Sequence, residues 1–387
     1  MWSTLSDDGD VTGGGAVNPL GSWADPADVP MRENLRTGTA YGAPQLDEPL
    51  RLNTNESPYP PSPALVDDIV ERVRAAATAL HRYPDREATA LRTDLAGYLG
   101  RFTGAAVSPA NIWPANGSSE ILQQLLLVFG GHGRRALGFS PSYSMYRIVA
   151  EHLSTEWIEI PCAADFSLNT ADAEAAIARH RPDIVFLTAP HSPGGSHTTV
   201  DEIERIVRVT PGIVVVDEAY GEFSAAPSAI ELIDRFPTKV VVTRTLSKAF
   251  GVAGARVGYL VAAPAILDAV RLIRLPYHLS TVNQATARAA LAHSEEVLGN
   301  IAAVVRERER VRTALGDLGF EVFGSAGNFL LFGRFTDAPR AWVYFLDHNV
   351  LIRDVGTPHH LRVTIGTAAE NDRFLEVCAS FSGRSGG

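Results

Sequence analysis

Apolar and polar positions along the chain alternate between two rhythms. In the stretch 64–80, ALVDDIVERVRAAATAL, apolar residues recur every three or four positions, which gathers them on one face of a helix. The same spacing predicts helices at about 88–100, 121–129, 144–153 and 201–209. Between them lie short runs with strand character: Asn111–Ala115, Ala136–Phe139, Glu156–Ile160, Asp183–Thr188, Gly212–Val216 and Val240–Val242. Several are rich in Val and Ile with no polar alternation, as strands covered on both faces are. Strand and helix in turn predict an α/β fold built on a mostly parallel sheet.

The ends of the chain do not follow this pattern. Residues 1–28, with Gly13, Gly14 and Gly15 among many Asp, Ser and Pro, read as a mobile leader outside the fold, and Ser382–Gly387 as a short weak tail. Length changes the picture next: 387 residues exceed one ordinary core, so a large domain with a smaller partner is expected. A net charge of −10 argues against nucleic acid or an anionic membrane surface as the main partner. No apolar run approaches membrane-spanning length, and the N-terminus has neither the basic flank nor the apolar stretch of a signal peptide. Two distant cysteines, Cys162 and Cys378, make no disulfide framework or structural zinc site, which suits a reducing cytoplasm.

Candidate chemistry gathers where strands end. In VVTRTLSKAFGVAGARVGYL (241–260), small hydroxyl residues Thr243, Thr245 and Ser247 are expected to break the valine run, so that Lys248 sits just past a strand end. Gly251, Gly254 and Gly258 let the backbone pass close to a ligand, and Arg256 offers the planar fork of donors that grips phosphate. A lysine desolvated beside another cation is the kind that attacks a carbonyl, because both influences lower its pKa. The glycines follow the lysine rather than open a βαβ unit, so they are not a dinucleotide fingerprint. At the end of 212–216 comes Asp217-Glu218-Ala219-Tyr220. A carboxylate there needs a cationic partner to offset desolvation; a pyridinium nitrogen would serve, with Tyr220 donating to an oxygen of the same ring. Asn116-Gly117-Ser118-Ser119-Glu120 opens a helix and offers amides to an anion, or else is an ordinary cap made by Ser118 or Ser119. The turn Ala189-Pro190-His191-Ser192-Pro193-Gly194-Gly195 is rigid and lies at a strand end, where α/β folds place ligands.

These segments, with RENLRTGTAYGAPQ, LNTNESPYPP, HRYPD, PSYSMY, NFLLF, IRDVG and HLRVTIGT, occur in an order and spacing that resembles the fold-type I (class-II) pyridoxal-phosphate aminotransferases, and within them the histidinol-phosphate aminotransferase family. The resemblance covers about 31–375. It implies pyridoxal 5′-phosphate as cofactor, carried by Lys248 as a Schiff base. Asp217 would keep the ring nitrogen protonated, Tyr220 would bond the ring hydroxyl oxygen, and Tyr143 would stack on the ring. Ser118, Ser119, Thr245, Ser247 and Arg256 would hold the phosphate, joined by Tyr83 from a neighbouring subunit, which implies a homodimer with shared sites. Arg362 would grip the substrate's anionic end and Arg353 a second phosphate contact, with Tyr41 and Asn55 closing the pocket.

One position departs from the family pattern. Where the family loop carries Asn-Asn-Pro, this chain has His191-Ser192-Pro193, so Ser192 stands with a shorter side chain where an asparagine reaches the ring oxygen. The other histidines, His132, His359 and His360, are expected to be solvated loop residues rather than metal ligands. The expected domains are a cofactor-binding domain at 75–285 and a smaller one made of 29–74 with 286–387. The implied reaction is ping-pong transfer of an amino group between glutamate and imidazole-acetol phosphate, yielding histidinol phosphate and 2-oxoglutarate. An aromatic or specialised-metabolite aminotransferase, or a regulatory protein that keeps the fold without turnover, are the alternatives.

Overall fold

A computed structural model describes residues 28–36 and 41–385. The expected leader therefore lies outside the described residues except for Asp28. By contact the chain divides into residues 1–42 and 43–387. In the first unit the described backbone includes the 3-10 turn Glu33–Leu35.

The strands of the second unit are β1 (Leu50–Arg51), β2 (Ile112–Ala115), β3 (Arg135–Ser140), β4 (Glu156–Pro161), β5 (Ile184–Thr188), β6 (Ile213–Asp217), β7 (Val240–Thr245), β8 (Gly258–Ala262), β9 (Glu321–Val322), β10 (Phe329–Gly333), β11 (Val350–Leu351), β12 (Arg353–Asp354) and β13 (His360–Thr364). Seven of them form the central sheet in the order β2-β8-β7-β6-β5-β3-β4. All run in one direction except β8, which is antiparallel to both neighbours. A second, antiparallel sheet has the order β12-β13-β10-β9, and β1 pairs in parallel with β11.

The valine runs behave as doubly covered strands. Val214 and Val216 join one apolar cluster while Ile213 and Val215 join the other; Val240 and Val242 part from Val241 in the same way. This two-residue alternation sends side chains into cores on opposite faces of the sheet. The helices covering them present apolar residues three and four apart, such as Ile203, Ile206 and Val207 in Val200–Val209, whose first turn is closed by a Thr199–Glu202 capping box.

Several expectations need correction. The valine strand does not stop at Val242: β7 runs on through Thr243, Arg244 and Thr245, all buried and paired with β8. Threonine is β-branched and suits a strand, so its hydroxyl is no stop signal. The first long helix is Pro63–Ala77, capped by Ser62 and ending three residues short of the expected limit. The helix at 118–129 begins at Ser118 itself, with Gly117 as its cap in a left-handed conformation (φ 79°). Neither serine is the cap. Of the expected weak tail, the backbone as far as Ser385 continues the last helix, Ala368–Ser385, and the rest lies outside the described residues. His360 opens β13 and pairs with Glu321 at 3.0 Å, so it is not a solvated loop residue.

Candidate active site

Register brings the candidate residues of the central sheet to one end. Thr188 on β5 lies opposite Asp217 on β6, and Asp217 opposite Thr243 on β7. Thr245, Gly258 and Ala115 align across β7, β8 and β2. Lys248 follows three residues beyond Thr245, and the helix Ser118–Phe129 starts three residues beyond Ala115.

Lys248 is half-buried, and its Nζ donates to the Thr54 carbonyl at 2.7 Å. Desolvation pulls its amine below the ordinary lysine range, and the Arg362 and Arg256 charges push the same way against Tyr220 and Glu56. Asp217 is buried, with 3% exposure. Burial raises its carboxyl, opposed by neutral donors, the Tyr146 hydroxyl at 2.7 Å and the Ala219 amide at 3.1 Å. Such a carboxylate has hydrogen bonds but still gains from a cation beside it. Buried Tyr220 accepts from Asn55 Nδ2 at 2.9 Å, which leaves its own proton available. Asn55 is itself fixed, in the left-handed region (φ 55°), by Thr364 and by Asn328, which binds its carbonyl at 3.0 Å.

A cradle for an anion lies beside them. The Arg256 guanidinium contacts Ser247 Oγ at 3.3 Å, and Thr245 Oγ1 donates to the same oxygen at 3.0 Å. A Cβ on Gly117 would lie 2.6 Å from Arg256 Nη2, and one on Gly258 2.4 Å from the Ser118 amide nitrogen. The glycines thus allow the arginine and the helix N-terminus to close on one point, where free N–H groups favour negative charge. Ser119 Oγ lies 3.4 Å from Tyr143 Oη, which ties the aromatic ring to this cradle.

A second cationic focus comes from the smaller sheet. Arg353 and Arg362 are direct partners across the β12–β13 pair and so share one face. Arg362 donates to Ser192 Oγ at 3.2 Å and to the Asn53 carbonyl at 3.1 Å, with its guanidinium 5.3 Å from the Phe329 ring. Arg353 makes no ion pair with Asp354 among the described residues. Ser192 thus meets the arginine of β13. Its neighbour His191 is buried, 3.8 Å from Cys162 Sγ, and desolvation pushes its imidazole down to about 4.

Two candidates stand outside this group. Tyr83 is 79% exposed and stacks on Tyr277 at 4.4 Å, and Tyr41, exposed, belongs to the first unit. Sequence reasoning passed over Tyr146, Thr54, Asn328 and Thr364. Tyr146 had a signal: it follows Tyr143 by three residues in PSYSMY, close to one helical turn, so a second aromatic near the first was to be expected. It also passed over Arg244, fully buried in β7 between Glu218 (2.6 Å) and Glu222 (3.0 Å) directly behind the Asp217–Tyr220 segment.

The donor set suits a planar cofactor with a phosphate tail, a cationic ring nitrogen and a carbonyl. Residues 47–377 match the model of the aminotransferase class I and II family. The chain is 63% identical over 350 residues to the histidinol-phosphate aminotransferase of Nocardia farcinica (strain IFM 10152), covering 90% of this chain and 91% of that relative. It is 59% identical over 360 residues to the enzyme of the same name from Rhodococcus opacus (strain B4), covering 93% and 95%. The solved structure of histidinol-phosphate aminotransferase from Sinorhizobium meliloti in complex with pyridoxal-5'-phosphate superposes with a TM-score of 0.82 at 27% identity, covering 94% of this chain and 100% of that one.

Proposed function

This chain belongs to the aminotransferase class I and II family and, within it, to the histidinol-phosphate aminotransferases; from that premise we propose that it binds pyridoxal 5′-phosphate and moves an amino group between histidinol phosphate and 2-oxoglutarate. The observation that carries the reading is the spacing of charge in the site: a depressed lysine and a buried carboxylate beside one anion cradle, with a pair of arginines opposed on a separate sheet. One cationic focus suits the cofactor's phosphate and the other the anionic ends of the two substrates.

When bound, the cofactor supplies a carbonyl that takes up the amino group and a protonated ring that draws in the electron pair left by the departing α-proton. The chain's own residues do the rest. Arg256, Ser118, Ser119, Thr245 and Ser247 hold the phosphate, and Tyr143 covers the ring. Asp217 keeps the ring nitrogen protonated, and Tyr220 donates to the ring oxygen with the proton that Asn55 leaves free. Lys248 carries the cofactor and, with its amine depressed by desolvation and two neighbouring cations, accepts and returns the α-proton. Arg362 forks onto the carboxylate of glutamate or the phosphate of the other substrate, and Arg353 adds a second contact to the phosphate.

Ser192 works through Arg362, holding its fork. Tyr83 serves the phosphate of a neighbouring subunit, so the working form is a homodimer; its high exposure in the single chain supports this. The second unit is read as a cofactor-binding part at 75–285 with a smaller part that includes 286–387, working in the cytoplasm.

The test is direct. Wild-type protein reconstituted with the cofactor should be yellow and should retain the label after borohydride reduction, while Lys248→Ala should not retain it. Histidinol phosphate should exceed phenylalanine as amino donor to 2-oxoglutarate in kcat/KM; the reverse order would sink the substrate assignment.

A further inference from the structure

Asp217 stands at the inner end of a directed chain of hydroxyls. Tyr146 Oη lies 2.7 Å from Asp217 Oδ2 and 3.1 Å from Thr188 Oγ1. A phenol has one proton, and an ionised carboxylate can only accept, so that proton goes to Asp217. Thr188 must then donate to Tyr146, and its remaining capacity as an acceptor faces Ser142 Oγ at 3.4 Å. The order is fixed from outside inward: half-buried Ser142, then Thr188, Tyr146 and Asp217. Each donor polarises the next, so the last bond is stronger than an isolated phenol would make it.

The chain is also held rigidly. The Tyr146 ring is 1% exposed, stacked on Phe186 at 5.0 Å with planes 8° apart, and meets Tyr143 edge-on at 5.4 Å. Thr188 and Asp217 are the terminal residues of adjacent strands and direct partners in register. A side chain packed in this way loses little entropy when it bonds, because packing has already fixed its rotamer.

We propose that Ser142, Thr188 and Tyr146 form a positioning relay that keeps Asp217 ionised and oriented for a cationic ring nitrogen, with Tyr146 its decisive member. The proposal rests on the pyridoxal-phosphate reading given above. Removing the phenol proton leaves a desolvated carboxylate with weaker support; the proton shared between Asp217 and the ring then settles on the carboxylate, and the ring loses its power to withdraw electrons. Tyr146 touches none of the reacting atoms, so it is a positioning residue.

Reconstitution with pyridoxal phosphate carrying 15N in the ring tests this. In wild type the nitrogen shift should report a protonated ring. In Tyr146→Phe it should move toward the unprotonated value, with cofactor Kd raised roughly tenfold or more and kcat lowered while donor KM changes little. Thr188→Val should move the same signals the same way by less, and Tyr146→His, which keeps a donor, should restore part of them. A packing role alone would lower the melting temperature without moving the nitrogen shift. If Tyr146→Phe does not fold, Thr188→Val carries the test. A folded Tyr146→Phe, or failing that a folded Thr188→Val, with wild-type nitrogen shift and Kd overturns the relay alone. A wild-type protein that does not bind the cofactor, or binds it with an unprotonated ring, overturns the relay and the functional reading together.

Discussion

Arg353 and Arg362 face each other across the β12–β13 pair, two like charges placed on one face of a short antiparallel ladder. Like charges directly opposite destabilise a sheet, so their pairing makes sense if an anion fills the space between them. Arg353→Ala should therefore lower kcat/KM for histidinol phosphate by about 10–100-fold, the worth of one charged hydrogen bond, and leave glutamate within a few-fold. Steady-state kinetics with the two donors checks this; an equal loss for both would remove Arg353 from phosphate recognition.

Gly117 admits no side chain without displacing Arg256. Gly117→Ala combines a backbone conformation (φ 79°, ψ 167°) that residues with a Cβ rarely adopt, strained by about 1–3 kcal/mol, with a 2.6 Å clash against the guanidinium. The cofactor Kd should rise about tenfold or more, while secondary structure by circular dichroism stays as in wild type.

His191 makes stability depend on acid. Its imidazole titrates at about 4 in the fold because of burial, against about 6.5 in the unfolded chain, so in that interval the unfolded chain binds a proton that the fold refuses. Stability is therefore lost as pH falls from about 6.5 toward 4, by up to about 3 kcal/mol from this group. His191→Asn should lose less stability than wild type between pH 7 and 4.5 in denaturant titrations. Parallel slopes would show that His191 takes up its proton in the fold.

Arg244 is 1% exposed between two glutamates, bonding Glu218 at 2.6 Å and Glu222 at 3.0 Å. Arg244→Met would leave both carboxylates buried without a cation, which costs about 3–5 kcal/mol and should lower the melting temperature by roughly 5–10 °C. Replacing both glutamates with leucine in the same protein should return part of that loss, because no unpaired charge then remains.

How much of this could be read in advance follows the range of each contact. The placement of Asp217 at a strand end and of Lys248 just past one depends on local pattern, and the linear sequence shows it. Tyr146 with Asp217, Ser192 with Arg362, and Lys248 with Thr54 join residues 71, 170 and 194 positions apart, which no periodicity reveals. The errors have local causes. Thr243 and Thr245 were expected to end a strand because they are polar, although their β-branching suits one and β8 pairs with them. A serine was expected to cap the helix, yet Gly117 alone accepts the φ that the close approach of Arg256 requires. Arg244, an arginine inside an apolar run, was the clearest sign of a buried ionic cluster, and it went unread.

The reversed direction of β8 limits how this chain can vary. Because β8 returns against β7, residues 246–257 leave the sheet and rejoin it at the same end, with Lys248 on the way out and Arg256 on the way back. An inserted or deleted residue between them would shift the amine against the guanidinium. Homologues should therefore tolerate substitutions here far more often than changes in length.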